Sequence, residues 1–198
     1  MTVPRPIPAP LILVVGPSGA GKDSLMEGAR QRLADDRRIH FGCRVVTRPA
    51  LAGAEAHDTL SLDAFERREA DGGFLLSWRA HGLAYGVPAV LDGLRRDGTT
   101  VVVNVSRSVI DEARVRLRPV GVIVVTAPPS VLAARLAARG REREDDIRRR
   151  LERAVAAQPS GRDVRVVVNG ADLDTGVDAF LAALRDLAHI GVPAPALS

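Results

Sequence analysis

An apolar pentad, Leu11–Val15, runs straight into the glycine-rich stretch GPSGAGK at residues 16–22, and a helical pattern leaves it over Lys22–Ala34. Strand, glycine loop and helix in that order leave few folds open. Glycines at 16, 19 and 21 permit backbone shapes that other residues resist, so successive N–H groups can turn inward and cradle phosphate. The helix adds the positive end of its dipole. Gly16, Pro17, Ser18, Gly19, Ala20, Gly21 and Lys22 are therefore expected to hold the phosphates of ATP. The usual spacing is G-x-x-x-x-G-K followed by a Ser or Thr hydroxyl that holds magnesium; here Asp23 stands in that place.

Four further apolar, β-branched runs follow: Cys43–Thr47, Thr99–Val105, Val120–Thr126 and Val164–Val168. All five are continuous rather than alternating, as expected of strands covered on both faces. Helical patterns lie between most of them, over Pro88–Arg96, Arg107–Leu117, Ser130–Arg139 (Ser130 as N-cap), Ile147–Ala157 and Val177–Ala188. The alternation predicts a three-layer α/β/α P-loop fold on a five-stranded parallel sheet, as one domain over residues 11–189 with tails at 1–10 and 190–198. Two stretches break the pattern. Residues 49–87, with a strand near Phe74–Trp78 and a short helix from Ser61, read as an insertion over the ligand site. Residues 140–150, GREREDDIRRR, read as part of an arginine-bearing lid at 139–150.

The chain has 198 residues, 46% of them hydrophobic and 26% charged, which suits one globular domain. No apolar run approaches the roughly 20 residues that cross a bilayer. The proline-rich start, MTVPRPIPAP, lacks the apolar centre of a secretory signal. Cys43 is alone, so no internal disulfide forms and a cytoplasmic location is expected. The net charge of +4 rests on 27 arginines and one lysine, and that lysine is Lys22. A compact ammonium fits inside a phosphate loop where a planar guanidinium does not. Nucleic acid is not an expected partner, because aromatic residues are only 3% of the chain and no long basic run interleaves with them. The four histidines have no metal-ligand spacing, Trp78 reads as core, and a homodimer is left open.

A strand-end carboxylate commonly helps hold the magnesium of P-loop enzymes. The third run, TTVVVNVSR, offers Asn104 and no acid. The metal-holding carboxylate is therefore expected to have moved to Asp23, acting directly or through water, with Ser24 as a second oxygen about 100° around the helix; the alternative is that Asp23 is only an acid at the helix N-terminus, interacting with its dipole. Asn169, after the last strand, either touches adenine or turns the chain with Gly170.

GPSGAGK, VVTRP, a Tyr-Gly and a later RGR with Arg-Leu together resemble the guanylate kinases over about Leu11 to Leu187. That resemblance implies that Arg48 and Tyr85 grip an acceptor phosphate and that Arg139, Arg141 and Arg150 close over ATP. The departures are Arg44 in place of a serine, PALAGAE after Arg48, and Asn104 in place of an acid. GPSGAGKDSLM, RVVTRPA, AHGLAYGVP, VVVNVSR and RGRE…RRRL are similar as a set to the ribose 1,5-bisphosphate phosphokinases. Membership there implies ATP- and Mg2+-dependent synthesis of 5-phospho-α-D-ribose 1-diphosphate in phosphonate degradation, with a small sugar phosphate and ATP as partners. It implies Ser106 and Arg107 at the sugar end, Glu55, His57 and His81 near ribose hydroxyls, Lys22 across the β- and γ-phosphates, and Arg139 and Arg150 on the migrating group. The alternatives are a nucleoside monophosphate kinase and a non-catalytic guanylate-kinase-like binding module. Retention of Lys22 and the lid arginines counts against the module.

Overall fold

The computed structural model describes residues 7–48, 57–137, 158–170 and 172–189. Strands β1 (Leu11–Val15), β2 (Ile39–Phe41), β7 (Thr100–Asn104), β8 (Val120–Thr126) and β9 (Val164–Val168) form a parallel sheet in the order β2-β7-β1-β8-β9. β1 is central, with Leu13 opposite Val103 on one side and Val122 on the other. The chain builds outward from β1 first toward β2 and β7, then toward β8 and β9. In such sheets ligands bind beyond the carboxyl ends of the strands, at this reversal of strand order.

The continuous apolar runs are explained by two cores, one on each face. Leu11, Leu13, Val15, Val101, Val103, Val122 and Val124 pack toward α3 (Leu91–Arg96) and α4 (Ile110–Arg116). Ile12, Val14, Val102, Ile123 and Val125 pack toward α1 (Lys22–Arg32) and α6 (Leu173–Ala188), where Leu25, Ala29, Phe180 and Leu184 are fully buried. Leu132 of α5 (Pro129–Ala137) joins the second core. The edge strand β9 departs from expectation: Val167 is buried, but Val166 and Val168 are more than half exposed.

The fifth parallel strand is Ile39–Phe41, not the Cys43–Thr47 run. Residues Arg44–Val46 form β3 of a second, four-stranded sheet ordered β4-β3-β6-β5, with β4 at His57–Thr59, β5 at Phe74–Ala80 and β6 at Leu83–Pro88. β3 and β4 run parallel, and the other pairs are antiparallel. The β-branched pair Val45-Val46 could serve either sheet; long-range pairing with Tyr85 and Gly86 decides it. One face of the small sheet packs Val45, Ala84 and Phe74 on Phe65 of α2 (Leu62–Ala70), a helix capped by the Ser61 hydroxyl, which accepts from Ala64 N at 3.2 Å. The other face sends Leu76, Trp78 and Val87 into the core of the large sheet.

Other boundaries shift locally. Pro88 ends a strand and the helix starts at Leu91, α5 starts at Pro129 rather than after Ser130, and α6 starts four residues early. There the Asp172 carboxylate caps the helix by accepting from Thr175 N. The 107–117 pattern splits into a 3-10 turn, Arg107–Val109, and α4. The expected helix at 147–157 lies outside the described residues. Arg95 of α3 is almost wholly buried and donates to the Ala9 carbonyl at 3.0 Å and to the Leu117 carbonyl, so it ties the segment entering β1 to the loop entering β8.

Candidate active site

The glycine loop leaves the carboxyl end of β1 and closes on itself. Gly16 has φ +151°, and a Cβ there would lie 2.0 Å from the Val125 carbonyl oxygen of β8, so only glycine lets the loop cross the sheet this closely. Gly21, the residue before α1, has φ +84°, in the left-handed region, and a Cβ there would meet the Asn169 amide at 2.2 Å. Asn169 is buried behind the loop. Its Nδ2 donates to the Ala20 carbonyl at 2.8 Å, and its own N–H donates to Thr126 of β8 at 2.7 Å. Arg135 of α5 donates to the Gly170 carbonyl at 2.8 Å and reaches the Gly19 carbonyl at 3.4 Å. The Lys22 ammonium curls back over the loop, donating to the carbonyls of Gly16 at 2.9 Å and Pro17 at 3.1 Å. This ammonium sits beside backbone N–H groups at a helix N-terminus, an arrangement suited to a phosphate chain.

Beside it, Asp23 and Ser24 open α1 and are exposed. Asn104, the last residue of β7, is buried and donates its Nδ2 to Asp23 Oδ1 at 2.9 Å. A carboxylate and a hydroxyl are hard oxygen donors of the kind magnesium prefers, and magnesium bound with substrate phosphates needs only one or two protein ligands. The donor set therefore fits that ion.

A second group of polar side chains lies on the small sheet. Tyr85 of β6 stacks flat on Trp78 of β5, with ring centroids 5.3 Å apart at 4°. The Arg44 guanidinium lies over the Tyr85 ring, 5.5 Å from its centroid. Arg48 continues the chain two residues beyond β3, and its Nε is buried without a hydrogen-bond partner among the described residues. A buried donor left unpaired costs about 1–3 kcal/mol, which an anion would offset. Between the sheets, the 3-10 turn at Arg107 packs against β5. Burial pushes the Arg107 guanidinium below the ordinary arginine range, so an anion there would gain from reduced solvent screening.

No protein-family profile matches the chain. It is 55% identical over 191 residues to the ribose 1,5-bisphosphate phosphokinase PhnN of Rhodopseudomonas palustris, covering 95% of this chain and 92% of that one. It is 46% identical to the protein of the same name from Chelativorans sp., covering 89% and 85%. The chain belongs to the ribose 1,5-bisphosphate phosphokinase family. It also matches a bifunctional ribose 1,5-bisphosphokinase-thymidine phosphorylase of Cupriavidus pinatubonensis at 48% identity, spanning 31% of that longer protein. Among solved structures, a guanylate kinase from Anaplasma phagocytophilum aligns over 91% of this chain and 87% of its own with TM-score 0.66 at 20% identity, a likeness of fold alone.

Family membership sharpens the reading of individual residues. The loop residues, Lys22, Asp23 and Ser24 lie together. Arg48 and Tyr85 both belong to the small-sheet unit, Arg48 just past β3 and Tyr85 on the strand paired with it. Ser106 caps the 3-10 turn, accepting from Ser108 N at 3.3 Å and from the Ser108 hydroxyl. His81 is exposed at the tip of the β5–β6 hairpin, with φ 52° followed by Gly82 at 73°, the signature of a two-residue turn. His57 opens the edge strand β4, opposite Arg44. Asn169, expected either to touch adenine or to turn the chain, is buried with its amide donating to the loop from behind. Glu55, Arg139, Arg141 and Arg150 lie outside the described residues. Sequence reasoning missed Arg135, which looks like an ordinary helix-face arginine until α5 is seen to pass the loop. It noted Arg44 only as a departure; strand alternation would have put Arg44 and Val46 on one face, but only pairing with β6 brings Tyr85 there.

Proposed function

We propose that this protein transfers the γ-phosphoryl group of ATP to the 1-phosphate of ribose 1,5-bisphosphate, giving 5-phospho-α-D-ribose 1-diphosphate and ADP. The observation that carries the reading is the 55% identity, over nearly the whole of both chains, to a relative named for that substrate. In this reading one domain spans 11–189, residues 49–87 are the acceptor-binding insertion and 139–150 the lid.

A 1-phosphate oxygen attacks the γ-phosphorus, and the bond from that phosphorus to the β,γ-bridging oxygen breaks. The attacking oxygen is already ionised near neutral pH, so no general base is required. Phosphoryl transfer then depends on alignment and charge. The Lys22 ammonium exchanges its Gly16 and Pro17 carbonyls for β- and γ-phosphate oxygens. Asp23 and Ser24 would hold Mg2+, which would supply neutralisation of the phosphate charge. Arg48 and Tyr85 hold the acceptor phosphate, with Ser106 and Arg107 at the sugar end. Planar guanidinium forks suit the gathering of mutually repelling phosphates. Arg139 and Arg150 act on the migrating group and Arg141 on ATP.

The test is ADP release with ATP and Mg2+ on ribose 1,5-bisphosphate and on GMP, with the product identified by phosphorus NMR. A higher kcat/KM for the sugar bisphosphate, with a new diphosphate at C1, is expected. Preference for GMP would overturn the reading in favour of a nucleoside monophosphate kinase.

A further inference from the structure

We infer that Asp23 and Asn104 form a single metal-orienting unit in which the usual polarity is reversed: the loop carries the carboxylate and the strand end carries the neutral partner that aims it. The inference rests on the reading of the site as a magnesium- and ATP-dependent kinase site.

P-loop enzymes commonly hold magnesium between a loop hydroxyl and a strand-end aspartate. In this chain the loop position carries the carboxylate and the strand end a neutral amide. Asp23 follows Lys22 directly, and Asn104 closes β7 next to β1, where it pairs with Val14. The two are 81 residues apart in sequence and 2.9 Å apart in space. A carboxylate only accepts hydrogen bonds, so Asn104 must present its amide NH2 to Asp23. That bond engages one oxygen of an exposed carboxylate, which retains lone-pair capacity for a cation. Asn104 is only 5% exposed, so its orientation is set by packing at the sheet end, and it passes that orientation to Asp23. Asn104 is a positioning residue, acting through Asp23.

The reversal predicts a reciprocal pattern that a merely structural contact does not produce. The probe is Mn2+ binding to the intact protein in the presence of a non-hydrolysable ATP analogue, followed by electron paramagnetic resonance, with melting temperatures measured alongside. Asp23→Ser, which removes the ligand, should weaken Mn2+ binding the most, and Asn104→Ala, which removes only the partner that aims it, by roughly 10–100-fold. The double exchange, Asp23→Ser with Asn104→Asp, should recover most of that loss. The isosteric Asp23→Asn variant, at an exposed position, reads the loss of the ligand should Asn104→Ala fail to fold. Unchanged Mn2+ affinity in Asp23→Asn overturns the inference, as does a folded double exchange no tighter than the weaker single variant. If the wild type binds the Mn2+–nucleotide and shows this reciprocity but phosphorylates no sugar bisphosphate, the inference stands and the substrate reading falls.

Discussion

In the parallel sheet every residue of β1 and β7 is buried, and the side chains packed on its two faces are mostly aliphatic, with Trp78 on one face and Phe180 on the other. In the small sheet and its helix, three arginines lie over three aromatic rings: Arg44 over Tyr85, Arg68 over Phe74 and Arg79 over Phe65, at 4.9–5.5 Å. Four of the six aromatic residues in the whole chain fall between 65 and 85. Branched aliphatic packing is dense and has few alternative arrangements, so it can hold a loop still to a fraction of an ångström. Rings and guanidinium groups present a flat apolar body with a polar edge, which suits a surface that must recognise a charged, hydroxylated ligand. On the proposed reading, the large sheet sets where phosphate is held, and the small one supplies the groups that choose its partner.

That division is testable. Lys22→Ala is expected to lower kcat by roughly a thousandfold, on the scale of losing a charge-stabilising donor, with a nearly unchanged melting temperature and unchanged acceptor affinity in equilibrium binding. Arg48→Ala should cost about 2 kcal/mol of acceptor recognition, roughly a thirtyfold rise in acceptor KM, while the KM for ATP stays put. An equal rise in both would show that the two sheets do not divide the labour. The smallest effect concerns acid stability of the large-sheet half alone. Asp36, between α1 and β2, has its carboxyl held at about 2 by the side-chain and backbone N–H donors of Arg38. Its folded value lies below the ordinary one near 3.9, so its contribution is fully present above about pH 4 and is lost as pH falls toward 2. Urea denaturation at pH 6 and pH 3 should show wild type and Asp36→Asn converging at the lower pH. A change in acceptor KM in that variant would blur the boundary.

Much of this was legible in the chain because local chemistry and global fold agree there. The Leu11–Leu25 stretch can be little other than strand, loop and helix, and four of the five apolar runs do lie in the parallel sheet. The failure at Cys43–Thr47 has a physical cause. Val45 and Val46 suit any buried strand, and their partners Tyr85 and Gly86 are about 40 positions away, beyond what local pattern reports. The Asp23 substitution announced a change at the metal position, and Asn104 announced a missing acid. That the two meet in one hydrogen bond depends on the adjacency of β1 and β7. Arg135 carried no signal, since one arginine among 27 stands out only when the loop carbonyls it touches are known.

The folded-back Lys22 ammonium, resting on two carbonyls of its own loop, has a practical consequence. It is the sole side-chain amine in the chain. A mild acylating reagent therefore finds only that amine and the α-amino group, and mass spectrometry of one peptide would report, without any engineered tag, whether nucleotide covers the loop.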